Sequence, residues 1–96
     1  MMNEKEYKYE NYQKDLNECR DALDIELWRQ TALRASGSFD HIPYDEGCLD
    51  LTRLAILVEE VGEVSQELQQ FPVDNSRLRE ELIQVAAVAM SWAARL

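Results

Sequence analysis

The sequence predicts an all-α fold: a helical hairpin plus an N-terminal helix, completed to a four-helix-type bundle by oligomerisation. Three observations predict it. Val and Ile occur only within helical periods, so no strand signal survives. Apart from Gly62, glycine and proline fall only between residues 35 and 47 and at Pro72, which divides the chain into three long uninterrupted segments. Two of those segments carry acidic motifs joined to an apolar run, Glu60 and Glu63 on one and Glu81 and Gln84 on the other, and three-residue spacing places side chains on one helix face.

The first segment, residues 3–34, lacks Gly and Pro and is rich in Glu, Lys, Leu and Ala, which favour a helix. Leu16, Cys19, Leu23 and Leu27 recur at three- and four-residue steps and give a narrow apolar stripe. Before Tyr12 the chain is polar enough that residues 1–11 are expected to fray or be disordered. Residues 35–47 hold Ser36, Gly37, Ser38, Asp40, Pro43 and Asp45, a loop composition. Asp50 is the expected N-cap of the second helix, which runs to about Gln70 and is stopped by Phe71-Pro72. Asn75 or Ser76 is the expected cap of the third. With no linker and 96 residues, the chain reads as a single domain over residues 1–96.

The second segment reads Leu54-Ala55-Ile56-Leu57-Val58-Glu59-Glu60-Val61-Gly62-Glu63, and the third Leu78-Arg79-Glu80-Glu81-Leu82-Ile83-Gln84-Val85-Ala86-Ala87. Glu60 and Glu63 share one face, with Glu67 a turn further on; Glu81 and Gln84 share another. Acids on faces that turn toward one another repel, and a hard divalent cation relieves them. Carboxylate oxygens suit magnesium (Mg2+), with manganese (Mn2+) as the alternative.

These paired motifs resemble the all-α nucleoside triphosphate pyrophosphohydrolases, the MazG-like group, over roughly residues 28–96. The family signature is Glu-x-x-Glu on one helix and Glu-x-x-Asp on the next. The resemblance implies a magnesium-dependent hydrolase that splits a nucleoside triphosphate into monophosphate and pyrophosphate, and that assembles as a homodimer or homotetramer. By the same resemblance Glu60, Glu63, Glu81 and Gln84 are the metal ligands, and Glu59 or Glu80 is the general base. One position departs: the family Asp is Gln84, whose amide oxygen coordinates a metal without adding charge.

Among the cations, Lys14, Arg29 and Arg53 are candidates to contact substrate phosphate, as are Arg34, Arg77 and Arg79, because guanidinium groups match phosphate oxygens with two parallel bonds. For Arg53 and Arg79 the expected role is instead pairing with nearby glutamates at helical spacing. Trp28 and Trp92 are expected in the core, with base stacking the alternative for Trp28. His41 is expected to be an exposed loop residue.

The net charge of −9 argues against nucleic acid or an anionic membrane surface as a partner. Cys19 and Cys48 lack metal-ligand spacing and read as reduced, and residues 1–7 are too polar for a secretory signal, so a cytoplasmic location is expected. From Leu82 to Ala94 nearly every residue is apolar, which calls for burial on all sides and hence a partner subunit. Gly62, costly inside a helix, suggests close approach by another helix or a ligand. The rival functions are a non-catalytic helical dimer that binds a nucleotide or a protein through the same acidic pocket, and a small acidic antitoxin-like partner.

Overall fold

The computed structural model describes residues 3–96, the side chain of Tyr7 excepted. Met1 and Met2, part of the segment expected to fray, lie outside the described residues. Three helices follow one another: α1 (Glu4–Ala35), α2 (Asp50–Leu68) and α3 (Asn75–Ala93). Helix α1 runs through the polar stretch before Tyr12, and its first turn is closed by Asn3, whose side chain accepts the Glu6 amide at 2.9 Å. No strand is present among the described residues, and no helix there is long and apolar enough to cross a membrane.

Helix α3 is the spine. Helix α2 packs along one side of it and α1 along another, while α1 and α2 make no close backbone approach to each other. The space left between α1 and α2, floored by α3, becomes the principal cleft. Ala87 (0% exposed), Val88 and Ser91 are the α3 residues sealed under this packing. The small Ala87 and Ser91 let the helices come close, which is where the core sits.

Two helix starts differ from the sequence expectation. Leu49, not Asp50, is the N-cap of α2, and no side chain caps that end. The Asp50 carboxylate is drawn elsewhere: it accepts from Arg53 Nη1 at 2.7 Å and from Trp92 Nε1 at 3.2 Å, which ties α2 to α3. At α3 the cap is Asp74 rather than Asn75 or Ser76. Its carboxylate accepts the amides of Ser76 at 3.0 Å and Arg77 at 3.3 Å, and suits the positive end of the helix dipole.

The loop from Ser36 to Leu49 buries Pro43 and Cys48 and is fixed as well by hydrogen bonds to charged side chains. Gly37 takes φ +83°, the left-handed turn that ends α1, and its amide returns to the Arg34 carbonyl. Asp45 accepts the Ile42 amide and Arg34 Nε, both at 2.9 Å. Buried Arg53 reaches from α2 to donate to the Pro43 carbonyl at 2.7 Å and the Asp45 carbonyl at 2.9 Å. Its Nε, Nη1 and Nη2 are thereby all engaged. Arg53 is a loop anchor, and the acid it pairs with is Asp50 rather than a glutamate.

The two tryptophans also depart from the core expectation. Trp28 is 75% exposed because Glu26 and Gln30 take the inward positions of α1, and a residue two places away points about 200° around the helix. Trp92 is half-buried, with its indole nitrogen spent on Asp50. The Leu82–Ala94 stretch is not enclosed on all sides within the chain: Leu82, Ala86, Ala89, Met90 and Ala93 remain exposed.

Arg53→Ala removes two buried loop anchors and one helix-end ion pair. Thermal unfolding should show a loss of about 2–4 kcal/mol, since buried hydrogen bonds from a charged donor are each worth about 1.5–3 kcal/mol and partly re-form with water. A change within measurement error would mean that the loop is held by something other than Arg53.

Candidate metal centre

Helices α2 and α3 bring Glu60, Glu63 and Glu81 together: one carboxylate oxygen from each lies within 4.8 Å of the other two. The spacing explains it. Glu60 and Glu63 occupy successive turns of the inward side of α2, and Glu81 faces them from α3. All three are half-buried. None has an ion-pair partner among the described residues. Three acids this close, none of them ion-paired, form a set of hard oxygen donors that could hold a divalent cation.

The electrostatic cost shows in the protonation of the group. Burial, followed by the charges of Glu63, Glu81 and Glu59, pushes the Glu60 carboxyl up to about 7. Burial and then Glu63 raise Glu81 as well. The fourth member, Gln84, points at the same centre. With its amide nitrogen turned to the acids it donates to Glu60 Oε2 at 3.1 Å and Glu81 Oε2 at 3.2 Å; turned the other way, its oxygen would face only acceptors. The neutral amide therefore bridges the two helices where a fourth acid would add repulsion.

The cleft between α1 and α2 opens beside this centre. It has a volume of ≈ 350 Å³ and is lined by Glu26, Arg29 and Gln30 of α1, the Ser38–Pro43 loop, Ile56 and Glu60 of α2, and Gln84 and Val88 of α3. A second cleft, between α1 and the start of α3, has Arg29, Arg79 and Glu80 on its walls and shares Gln84 with the first. Arg29 is held in a fixed pose by a two-pronged bond to Glu26, Nε to Oε2 at 2.8 Å and Nη2 to Oε1 at 2.6 Å. Gln30 Nε2 adds a bond to Glu26 at 3.2 Å. The Arg29 hydrogen bonds hold the Glu26 carboxyl below its ordinary range. Glu26 and, less strongly, Glu60 hold the Arg29 proton more tightly than usual.

The remaining candidates are dispersed. Glu59 and Glu80 are exposed neighbours of the cluster, and Glu80 alone of the two lines a cleft. Glu67 is half-buried and pairs with Arg77 at 3.3 Å. Lys14 is exposed, and twelve residues separate it from Glu26, about 18 Å along the helix. Arg53 is committed to the loop. His41 is exposed, yet it lines the main cleft. Trp28 lines neither of the clefts beside the centre. Glu26 and Gln30 were not singled out in the sequence, although both are buried and both face the cleft. Their signal was there: they sit at positions 26 and 30 beside Leu23 and Leu27, inside the α1 stripe.

A pH dependence follows from Glu60. Its folded value of about 7 stands above the ordinary value of 4.5, so between those limits the folded protein holds a proton that the unfolded chain has released. Stability contributed by this group is therefore greatest at low pH and is lost as pH rises from about 4.5 to 7. Glu26 and Asp45, both lowered, act in the opposite sense and lose their contribution only as pH falls below that window. Metal-free protein should melt higher at the acid end of the window than above it, and Glu60→Gln should flatten that slope. An unchanged slope in Glu60→Gln would show that Glu60 does not carry it.

No family model matches the chain, and neither characterised proteins nor solved structures supply a similar chain.

Proposed function

We propose that the chain is a magnesium-dependent nucleoside triphosphate pyrophosphohydrolase, acting as a homodimer or homotetramer. One observation carries the reading: Glu60, Glu63 and Glu81 converge beside a cleft of ≈ 350 Å³ whose opposite wall presents Arg29 in a fixed pose. A net charge of −9 would repel a polyphosphate unless a cation stood between them, so the acids and the ligand require the same ion. Magnesium, when bound, supplies charge neutralisation for the phosphates and makes an attacking water more acidic.

The chain's own residues supply the rest. Arg29, locked by Glu26, offers its outer guanidinium edge to a phosphate oxygen. The water oxygen bonds to the α- or β-phosphorus, the bridge between those two phosphorus atoms breaks so that monophosphate and pyrophosphate separate, and the water's proton passes to a carboxylate outside the metal set. Glu80, which lines the adjoining cleft, is better placed for that than Glu59. Base and sugar would occupy the part of the cleft walled by Gln30, Phe39 and His41.

A non-catalytic nucleotide or protein binder is the second reading, favoured by Gln84. Its amide already satisfies Glu60 and Glu81, so the centre persists without a cation. Incubation with a panel of canonical and damaged nucleoside triphosphates and magnesium, assayed for pyrophosphate, separates the two. Release that disappears in Glu63→Gln supports the hydrolase. Nucleotide binding with no pyrophosphate from any member of the panel supports the binder.

Gln84→Asp provides the finer test. It removes two donors from Glu60 and Glu81 and adds a fourth negative charge. Magnesium affinity should rise several-fold, about 1 kcal/mol after desolvation and repulsion are set against the gross attraction. The metal-free protein should lose stability at the same time. Titration calorimetry that finds unaltered magnesium affinity would remove Gln84 from the metal set.

A further inference from the structure

Helix α2 is inside out. Between Leu51 and Leu68 its charged residues Arg53, Glu60, Glu63 and Glu67 are buried or half-buried, and Glu59 is the one charged side chain left exposed. Leu57 and Val64 are half-buried with them, but the other leucines and valines point the other way. Leu51 (81% exposed), Leu54, Val58, Val61 and Leu68 are all open to solvent. With Ser65 they recur at steps of three, four, three, four and three, the spacing of a helix–helix seam. Nothing else among the described residues covers this face.

We propose that a second copy of the chain docks on it, with the two α2 helices antiparallel about a two-fold axis that passes between Val58 and Val61. The seam reads the same in reverse: Leu51 meets Leu68, Leu54 meets Ser65, and Val58 meets Val61 of the facing helix. A two-fold contact demands that reciprocity, because residue i must meet j while j meets i.

Charge selects a second copy over an unrelated partner. Each chain carries −9, so copies approach most readily through a face without acids, and this seam is such a face. A basic partner would find no acids there to recognise. Ala55 and Gly62, both exposed and seven residues apart, flank the seam on one side. A Cβ added at Gly62 would meet nothing within 4 Å inside the chain, so no neighbour in its own chain accounts for this mid-helix glycine. Beside a seam it gives a facing backbone room to come close. The five apolar side chains expose roughly 500 Å² in all, as large as the biggest patches of ordinary monomers. Mirrored on a second copy they give about 1,000 Å², the lower limit for a specific contact.

The proposal shares with the functional reading only the statement that the chain self-associates, and its test reads mass rather than chemistry. Sedimentation equilibrium of the full chain should show a dimer at micromolar concentration. Val58→Glu and Val61→Lys, each alone, should weaken it at least tenfold while circular dichroism keeps its helical signal. Mixed together, the two variants should recover dimer, because Glu at 58 of one chain faces Lys at 61 of the other and leaves a Val–Val contact intact. A wild type that stays monomeric at about 100 μM, or variants that dimerise as tightly as wild type, would overturn the surface. Weakened variants that fail to recover on mixing would overturn the antiparallel register. Neither result bears on pyrophosphate release, which Glu63→Gln tests separately.

Discussion

Repulsion among Glu60, Glu63 and Glu81 is the constraint on which the rest of the molecule turns. A short three-helix chain has little apolar surface to spare, and here the inward side of α2 is given largely to acids. Burial drives the Glu60 carboxyl toward neutrality, and Gln84 supplies two amide hydrogens where a fourth acid would have multiplied the repulsion. The core is correspondingly thin. Pro43, Cys48, Ala87 and Val88 are the buried apolar residues among those described, while Glu26, Gln30, Arg53 and Ser91 are buried polar ones. Polar groups in such places are tolerated because they are bonded, and no buried side-chain nitrogen or oxygen lacks a partner among the described residues.

The same arrangement shapes the cleft. Because Glu26 and Gln30 occupy the inward positions of α1, that helix cannot close onto α2 as an apolar stripe would. It rests on α3 and leaves space in front of Glu60. The Glu26–Arg29 pair then sets one cation facing the acids without neutralising them, since its two prongs belong to Glu26. Arg53 holds the loop that walls the far end. The result is a set of opposed charges, partly desolvated and kept apart by the scaffold.

Local patterning made the helices and the acidic set legible. Breakers at Gly37, Pro43 and Pro72 bound the segments, and the three-residue spacing of Glu60 and Glu63 placed them on one face before any partner helix was known. What the sequence could not show was which face of each helix turns inward. Trp28 was expected inside because aromatic burial is the usual outcome, but orientation of α1 is decided by Glu26 and Gln30 two places away. The apolar run of α3 suggested that this helix seeks a partner, whereas the widest uncovered apolar stripe lies on α2, hidden in a sequence where leucines and glutamates are merely interleaved. Asp50 failed as a cap for a tertiary reason: Trp92, 42 residues further on, shares its carboxylate. Such long-range competition leaves no local signature.

The central claim is that the three glutamates form a cation site, and anomalous scattering from crystals grown with manganese tests it directly. The account predicts a single anomalous peak in contact with carboxylate oxygens of Glu60, Glu63 and Glu81, with the Gln84 amide rotated so that its oxygen faces the ion. A map without a peak at this centre at saturating manganese, with Gln84 still donating to Glu60 and Glu81, would contradict it.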